Sequence, residues 1–183
     1  MAGADIRNDS SIMSYSIPGD KTFDSIQWTV PGDFSSAAFM LGAGALSDEG
    51  VEVSNLDPKD VQGDKRILEL LEDFGADVNV KGRKVSVAGG QRLDGIDVDC
   101  SNTPDLTPIL AVLGATAEGT TRLYNISHLR YKEVDRIAAI SKELGKMGVK
   151  VEETEDGLKV FGTDHLEASK LNPSSMTLGG SGR

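Results

Sequence analysis

The residues best suited to chemistry lie between His128 and Gly148, in the string HLRYKEVDRIAAISKELGKMG. Three cations, Arg130, Lys132 and Arg136, crowd the point where a helix is predicted to begin. A helix start carries partial positive charge and exposed backbone N–H groups, so added cations can create a site for phosphate or carboxylate. A solvated, charged helix start has the same spacing, and the spacing alone leaves both interpretations open.

The predicted helix has one apolar stripe, formed by residues that recur at helical spacing: Ile137, Ile140, Leu144 and Met147. Gly148 follows the stripe and is typical of a helix C-terminus. If Lys132 and Arg136 were both helical, they would lie four positions apart and repel each other. Glu133 and Asp135 would relieve part of that repulsion. The sequence therefore predicts a loop that feeds an amphipathic helix.

The elements before this segment form a regular series. Asp33 is a good N-cap for the following helix, SSAAFMLGAGALSDEG, which is apolar on nearly all sides and should be buried on most of them. The string VEVSNL predicts a strand, and DKRILELLEDFG predicts an amphipathic helix that ends at Gly75. The strings ADVNV and KVSVAG predict two further strands.

The series then repeats after a shift of about 70 residues. Asp105, Leu106 and Thr107 echo the earlier residues Asp33, Phe34 and Ser35. Each copy is interpreted as strand, buried helix, strand, amphipathic helix, strand and strand. We expect closing hairpins of a first domain over 1–29, repeats over 30–98 and 99–162, and an irregular tail over 163–183. Because an all-apolar helix cannot hide its surface within one unit, the copies should pack together.

Composition narrows the classes of function. The formal charge of −10 disfavours nucleic acid or an anionic membrane as partner. The single cysteine, Cys100, excludes an internal disulfide and fits a reducing cytoplasm. The longest apolar runs, 37–46 and 109–117, are far shorter than the roughly 20 residues of a membrane helix. His128 and His165 are not in ligand spacing with each other or with Cys100, so no metal site is predicted.

Four strings together resemble the EPSP synthase family of enolpyruvyl transferases: LRYKEVDRI, VPGDFSSAAFMLGAGAL, DVQGDKRILELLEDFGADV and NTPDLTPILAVLGATAEGTTRLYNI. They follow that family's order and spacing. The resemblance implies an inside-out α/β barrel of βαβαββ repeats, with sheets outside and helices within. Two repeats and part of the neighbouring domain would be present. Since the family's chains are more than twice as long, the sequence looks like an internal piece.

The resemblance also implies a reaction. Enolpyruvyl transfer from phosphoenolpyruvate to the 5-hydroxyl of shikimate-3-phosphate releases phosphate and requires neither metal nor cofactor. The implied partners are these two substrates and the remaining segments of the parent enzyme, in the cytoplasm. One alternative is the related transferase that acts on UDP-N-acetylglucosamine, although the KE-x-DR signature favours the shikimate enzyme. A module that binds anions without catalysis is another.

Two carboxylates acquire catalytic roles from the resemblance. Asp105, in NTPDL, matches the family's aspartate that contacts the sugar hydroxyls and serves as base. Its other interpretation is an N-cap of the next helix, parallel to Asp33. Glu133 matches the glutamate assigned to proton transfer at the methylene carbon. For Glu133, the alternative is an ordinary surface residue.

Four basic residues are implied as substrate-binding. Lys132 matches a lysine that binds shikimate-3-phosphate, and Arg136 matches an arginine that binds phosphoenolpyruvate. His128 stands where the best-known members carry an asparagine that contacts the shikimate phosphate. Arg130 belongs to the motif, with a supporting role favoured. The family's other substrate-binding segments have no match here, so we expect one wall of the cleft and no catalysis by this chain alone.

Overall fold

Two units divide the chain, Met1–Val30 and Pro31–Arg183. The computed structural model describes residues 5–19, 25, 27 and 29–170. Within the first unit, β1 (Arg7–Asn8) and β2 (Tyr15–Ser16) pair antiparallel. This pair is one hairpin of those expected over 1–29, and residues 1–4, 20–24, 26 and 28 lie outside the part of the chain that the structure describes. The predicted boundaries at 29, 98 and 162 stay a prediction.

The first half of the second unit contains α1 (Phe34–Leu46), β3 (Val51–Ser54), α2 (Ile67–Asp73), β4 (Val78–Lys81) and β5 (Lys84–Val87). A 3-10 turn over Gly63–Arg66 leads directly into α2. The three strands form an antiparallel sheet in the order β3-β5-β4. The described residues 29–33 form no strand ahead of α1.

The second half contains the same series of elements, preceded by one further strand. It contains β6 (Asp97–Asp99), α3 (Thr107–Thr116), β7 (Thr120–Tyr124), α4 (Arg136–Lys146), β8 (Lys150–Glu153) and β9 (Leu158–Phe161). The sheet order is β6-β7-β9-β8, with β6 parallel to β7 and the other pairs antiparallel. The parallel pair follows from the crossover through α3, since parallel strands need such a connection.

Matching details relate the two halves. Asn55 and Asn125 follow β3 and β7, and both adopt the left-handed backbone region, with φ of 67° and 61°. Short asparagine side chains tolerate this conformation better than most residues. Gly44 of α1 lies against Val51, seven positions later, and Gly114 of α3 lies against Thr121, also seven positions later. The same helix-to-strand contact therefore recurs in each copy.

The core lies between the two sheets, where the two apolar helices meet. Each helix packs on the sheet of its own half, and Gly42 of α1 faces Ile109 of α3. This arrangement agrees with the predicted packing of one copy against the other. The largest fully buried side chains include Phe34, Leu41, Phe74, Leu110, Leu113 and Leu123. At about 25 cal/mol per Å² of apolar surface removed from water, such burial is the main stabilising term.

One stripe of α1 is not covered within the described residues. Met40 is 56% exposed and Leu46 is 40% exposed, although the rest of the helix is mostly buried. By contrast, α3 is buried along nearly its whole length. The described residues contain no helix that is both long enough and apolar enough to cross a membrane.

Candidate functional site

The segment between β7 and α4 is a loop whose two ends are fixed. It begins with a 3-10 turn over Ser127–Tyr131, which buries Leu129, and Lys132 then adopts an extended conformation. Asp135 ends the loop as the N-cap of α4, because its side chain accepts the N–H of Ala138 at 3.0 Å. A buried anchor at one end and a capped helix at the other therefore fix the backbone that presents the predicted site residues.

Lys132 and Glu133 lie on this loop, outside the helix. Repulsion between helical neighbours, as considered from the spacing, therefore does not arise for Lys132 and Arg136. His128 and Lys132 are both exposed. Lys132 makes no hydrogen bond or ion pair with any residue that the structure describes. Its ammonium group is thus available to an external anion.

Arg130 is held by acceptors of its own protein. Its Nη1 lies 3.0 Å from Asp135 and 3.1 Å from Glu153, and its Nη2 donates to the carbonyl oxygen of Thr154 at 2.8 Å. These charged partners raise the pKa of Arg130 above its ordinary value, against the opposing effect of desolvation. The guanidinium therefore ties the loop to the turn between β8 and β9. This geometry corresponds to the supporting role, and substrate contact by Arg130 stays a prediction.

The same turn holds the other end of the loop. Asp156 accepts the backbone N–H of Asn125 through its side chain at 3.3 Å, and the N–H of Ile126 through its carbonyl oxygen at 2.8 Å. The bond from Asn125 lowers the pKa of Asp156. Sequence patterns did not reveal Glu153, Thr154 or Asp156 as supports. A carboxylate at a strand end is too common to signal a partner 23 or 31 positions away.

Arg136 is the buried centre of the site. It is the first residue of α4 and only 8% exposed. Its Nη1 donates to Asp105 Oδ1 at 3.0 Å, and its Nη2 lies 3.6 Å from Glu133 Oε2. Burying a guanidinium requires such compensation, since an unpaired buried charge is very costly. The structure thus brings together Asp105, Glu133 and Arg136, three residues predicted from the sequence as site residues.

Asp105 does not cap a helix, and that interpretation was wrong. It lies within a 3-10 turn over Pro104–Leu106, and α3 begins at Thr107 with no side-chain cap. Pro108 occupies the first turn of α3 and has no N–H to be capped. In the first half, Asp33 does cap α1 and accepts the N–H groups of Ser35 and Ser36. The carboxylate of Asp105 therefore contacts Arg136 and, at 48% exposure, is also accessible to solvent.

The cations at this helix start do not converge as the spacing suggested. Arg130 is turned to the β8–β9 turn, and Arg136 is paired with two carboxylates. Glu133 has its pKa lowered, chiefly by its own backbone N–H and further by the charges of Arg136 and Lys132. Glu133 is thus ionised at neutral pH. Among the described residues, no group of three His, Cys, Asp or Glu side chains could hold a metal ion.

Comparisons with known proteins point to one family. A family sequence model described as EPSP synthase (3-phosphoshikimate 1-carboxyvinyltransferase) matches residues 1–176. The 3-phosphoshikimate 1-carboxyvinyltransferase of Methanocaldococcus jannaschii is 42% identical over 91% of this chain, and that of Methanococcus vannielii is 43% identical over 86%. The chain spans 39% and 37% of the lengths of these two relatives.

Comparison with solved structures also finds enolpyruvyl transferases. EPSP synthase from Acinetobacter baumannii superposes with a TM-score of 0.71 at 28% identity, over 90% of this chain and 39% of that one. The enolpyruvyl transferase NikO from Streptomyces tendae superposes with a TM-score of 0.64 at 23% identity, over 87% of this chain and 37% of that one. At that identity, the second likeness concerns the fold alone.

Proposed function

This chain belongs to the EPSP synthase family, and from that membership we propose that it forms part of an enzyme that transfers an enolpyruvyl group. The donor is phosphoenolpyruvate, the acceptor is the 5-hydroxyl of shikimate-3-phosphate, and phosphate is released. The observation that carries the proposal is the contact of Arg136 with both Asp105 and Glu133. These two contacts support the proposal, because they join the residue proposed as base, the residue proposed as proton donor and the cation proposed to bind the substrate anion.

The addition step needs two proton movements. Asp105 takes the proton of the 5-hydroxyl as its oxygen forms a bond to C2 of phosphoenolpyruvate. Glu133 gives a proton to the methylene carbon C3, which becomes a methyl group. General acid–base catalysis of this kind contributes about 10²- to 10⁴-fold to a rate. Both carboxylates lie beside one guanidinium, which can stabilise the negative charge as it passes from Asp105 to Glu133.

The elimination step reverses part of this transfer. A proton leaves the methyl group for the carboxylate of Glu133 as the bond from C2 to the phosphate oxygen breaks, and the proton held by Asp105 passes to the departing phosphate. The pKa of Glu133 is lowered, chiefly by its own backbone N–H, so this carboxylate is ionised at neutral pH and can accept a proton. Bound substrate anions would engage Arg136 and Lys132, and the loss of their effect would raise the pKa of Glu133. Proton donation by Glu133 in the addition step requires this higher pKa.

Different basic residues are proposed to bind the two substrates. Lys132 and His128, both exposed on the loop, are proposed to bind the phosphate of shikimate-3-phosphate. Arg136 has five N–H donors, more than its two carboxylates use, and is proposed to bind the carboxylate or phosphate of phosphoenolpyruvate. Arg130 is proposed as a support of the loop. Since the chain covers 39% of a relative's length, residues from elsewhere in the parent enzyme complete the site.

Calorimetric titration tests the assignment of the shikimate half of the site. The ligands are shikimate-3-phosphate, shikimate, inorganic phosphate and UDP-N-acetylglucosamine. We expect saturable binding of shikimate-3-phosphate alone, lost in Lys132→Ala and retained in Lys142→Ala, which removes an exposed lysine of α4. Equal weak binding of shikimate-3-phosphate, shikimate and phosphate would support only an anion site. Preference for the nucleotide sugar would favour the related transferase.

Two activity measurements complete the test. If none of the ligands binds, the transferase activity of the complete protein that contains this chain decides the proposal. The chain alone is expected to show no turnover, because the family's other substrate-binding segments have no match in it. Measurable phosphate release by these 183 residues would contradict that expectation.

A further inference from the structure

Residues 62–66 are fixed to the start of α1 by side-chain bonds. The Gln62 amide accepts the N–H of Phe34 at 2.8 Å and donates to the carbonyl oxygen of Gly32 at 3.1 Å. Ser35 donates its hydroxyl proton to Asp64 at 2.5 Å. The first turn of α1 is thereby saturated by protein groups, because Asp33 caps the next two N–H groups. This segment, here named the brace, has little freedom relative to α1.

The other edge of the brace lies against the end of β6. Arg66 Nη1 donates to the carbonyl oxygen of Asp99 at 2.6 Å. The backbones also approach closely, since a Cβ added to Gly63 would lie 3.3 Å from the carbonyl oxygen of Asn102. Asp99 is the last residue of β6. The brace therefore connects α1 of the first repeat with the segment of the second repeat that leads to Asp105.

Few degrees of freedom separate Asp99 from Asp105. The N–H of Thr103 donates to the carbonyl oxygen of Cys100 at 3.1 Å, and the N–H of Leu106 donates to that of Thr103 at 3.1 Å. The backbone N–H of Ser101 bonds to the Asp99 side chain at 2.9 Å. Two successive tight turns thus follow the residue that Arg66 holds. The position of Asp99 therefore constrains the position of Asp105.

We propose that Arg66 is a positioning residue for Asp105, acting through the carbonyl of Asp99 and the turns that follow it. The proposal rests on the proposed function, in which Asp105 is the base. Asp105 itself is only half-buried, and Arg136 is its one side-chain partner among the described residues. The position of Asp105 therefore depends also on the backbone that precedes it, from Asp99 onward. A guanidinium bound to a carbonyl oxygen is well suited to this, because it is always charged and geometrically rigid.

The experiment uses the complete protein that contains this chain and compares Arg66→Ala, Arg66→Lys and Lys65→Ala. Lys65 is a matched control, since its ammonium also donates to a carbonyl oxygen at 2.6 Å, but within its own loop, at Asp60. We expect Arg66→Ala to lower kcat by about 10- to 100-fold while KM for phosphoenolpyruvate changes by less than about twofold. Arg66→Lys should recover part of the loss, and Lys65→Ala should leave kcat within about twofold of wild type.

Amide hydrogen exchange supplies a readout that does not depend on turnover. In Arg66→Ala, exchange should accelerate at residues 100–106 and stay unchanged in α4. Three results would overturn the proposal: kcat retained in Arg66→Ala, an equal loss in Lys65→Ala, or unchanged exchange at 100–106. If the wild-type protein transfers no enolpyruvyl group, the proposed function fails on its own. The exchange result then decides whether Arg66 positions Asp105.

Discussion

Arg136 and Asp105 are 31 positions apart in the sequence, yet their side chains meet at 3.0 Å. The contact joins the start of α4 to the turn that precedes α3. Both residues belong to the second repeat, so one repeat supplies the proposed base and its cationic neighbour. Because the guanidinium is buried, removing either partner leaves a charge without its compensation.

The amide variant Asp105→Asn should nearly abolish catalysis without unfolding the protein. An amide keeps the shape and can still accept from Arg136, but it is a poor base at neutral pH. We expect kcat of the complete enzyme to fall by about 10²- to 10⁴-fold in a phosphate-release assay. Asp97→Asn, on the exposed face of β6, is the control and should retain activity. Half of the wild-type rate in Asp105→Asn would remove Asp105 from the mechanism.

Arg130→Ala should destabilise the chain and loosen the loop that carries Lys132. The side chain is 25% exposed and bonds to two carboxylates and a carbonyl, so we expect a loss of about 1–2 kcal/mol in urea unfolding. Arg92→Ala removes a solvent-exposed pair with Glu118 and should cost less than about 0.5 kcal/mol. Equal effects of the two variants would show that the three bonds of Arg130 add no more stability than one exposed ion pair.

The N-cap at Asp33 should stabilise α1 in a pH-dependent way. Its pKa is lowered from 3.8, chiefly by the bond from the Ser36 hydroxyl. A lowered folded-state pKa stabilises the protein above the unfolded value, and that stability is lost as the pH falls through the folded value. Asp33→Ala should therefore cost about 1 kcal/mol at pH 7 and progressively less below pH 3.8. Urea unfolding at both pH values measures this, with the exposed Asp48→Ala as control.

Asp64 should have the opposite pH dependence. Its pKa is raised from 3.8, first by desolvation, and further by the charges of Asp105 and Asp33. The folded state therefore holds this proton more tightly, and the stability that it contributes is lost as the pH rises through the folded value. Asp64→Asn should raise the melting temperature at pH 7 and have little effect below pH 3.8. A fall in the melting temperature at pH 7 would contradict this sign.

Two glycines in helices should respond to alanine in opposite directions. A Cβ at Gly114 of α3 would lie 2.6 Å from Cβ of Thr121, whereas a Cβ at Gly145 of α4 would meet nothing within 4 Å. Gly114→Ala should cost about 1–3 kcal/mol through overpacking. Gly145→Ala should stabilise the chain by about 0.5–1 kcal/mol, because alanine loses less backbone entropy. Thermal unfolding of both variants tests the close approach of α3 to its sheet.

Local patterns predicted the parts of the fold that local physics determines. The apolar stripe of α4 lies inward as expected, and Gly148 after it has a left-handed backbone with φ of 81°. The Asp33 cap is confirmed for the same reason, since its bonds reach only two and three residues ahead. The membership of Asp105 and Arg136 in one site came from resemblance to a family. Spacing alone suggested neither that contact nor its distance.

The features that local patterns missed share a physical cause. Asp105 looked like a second Asp33, but the proline at position 108 and a 3-10 turn shift the helix start away from it. Arg130 is one of the three cations near the predicted helix start, but two of its three acceptors, Glu153 and the carbonyl oxygen of Thr154, belong to a hairpin that begins about 20 residues later. Gln62 bonds to a backbone group 28 positions earlier. Such pairings depend on the tertiary fold. The periodicity of apolar residues predicts local elements and does not predict these contacts.

The different fates of Asp33 and Asp105 have a consequence for how such a chain can change over generations. The two units carry aspartates at equivalent positions, and capping the following helix is a task that only Asp33 performs. Once a tighter turn ends that task in one copy, its carboxylate can acquire a new partner while the other copy maintains the scaffold. Substitutions at Asp33 should then be judged by folding and those at Asp105 by turnover. Duplication thus separates selection for folding from selection for turnover, which would otherwise act on the same residue.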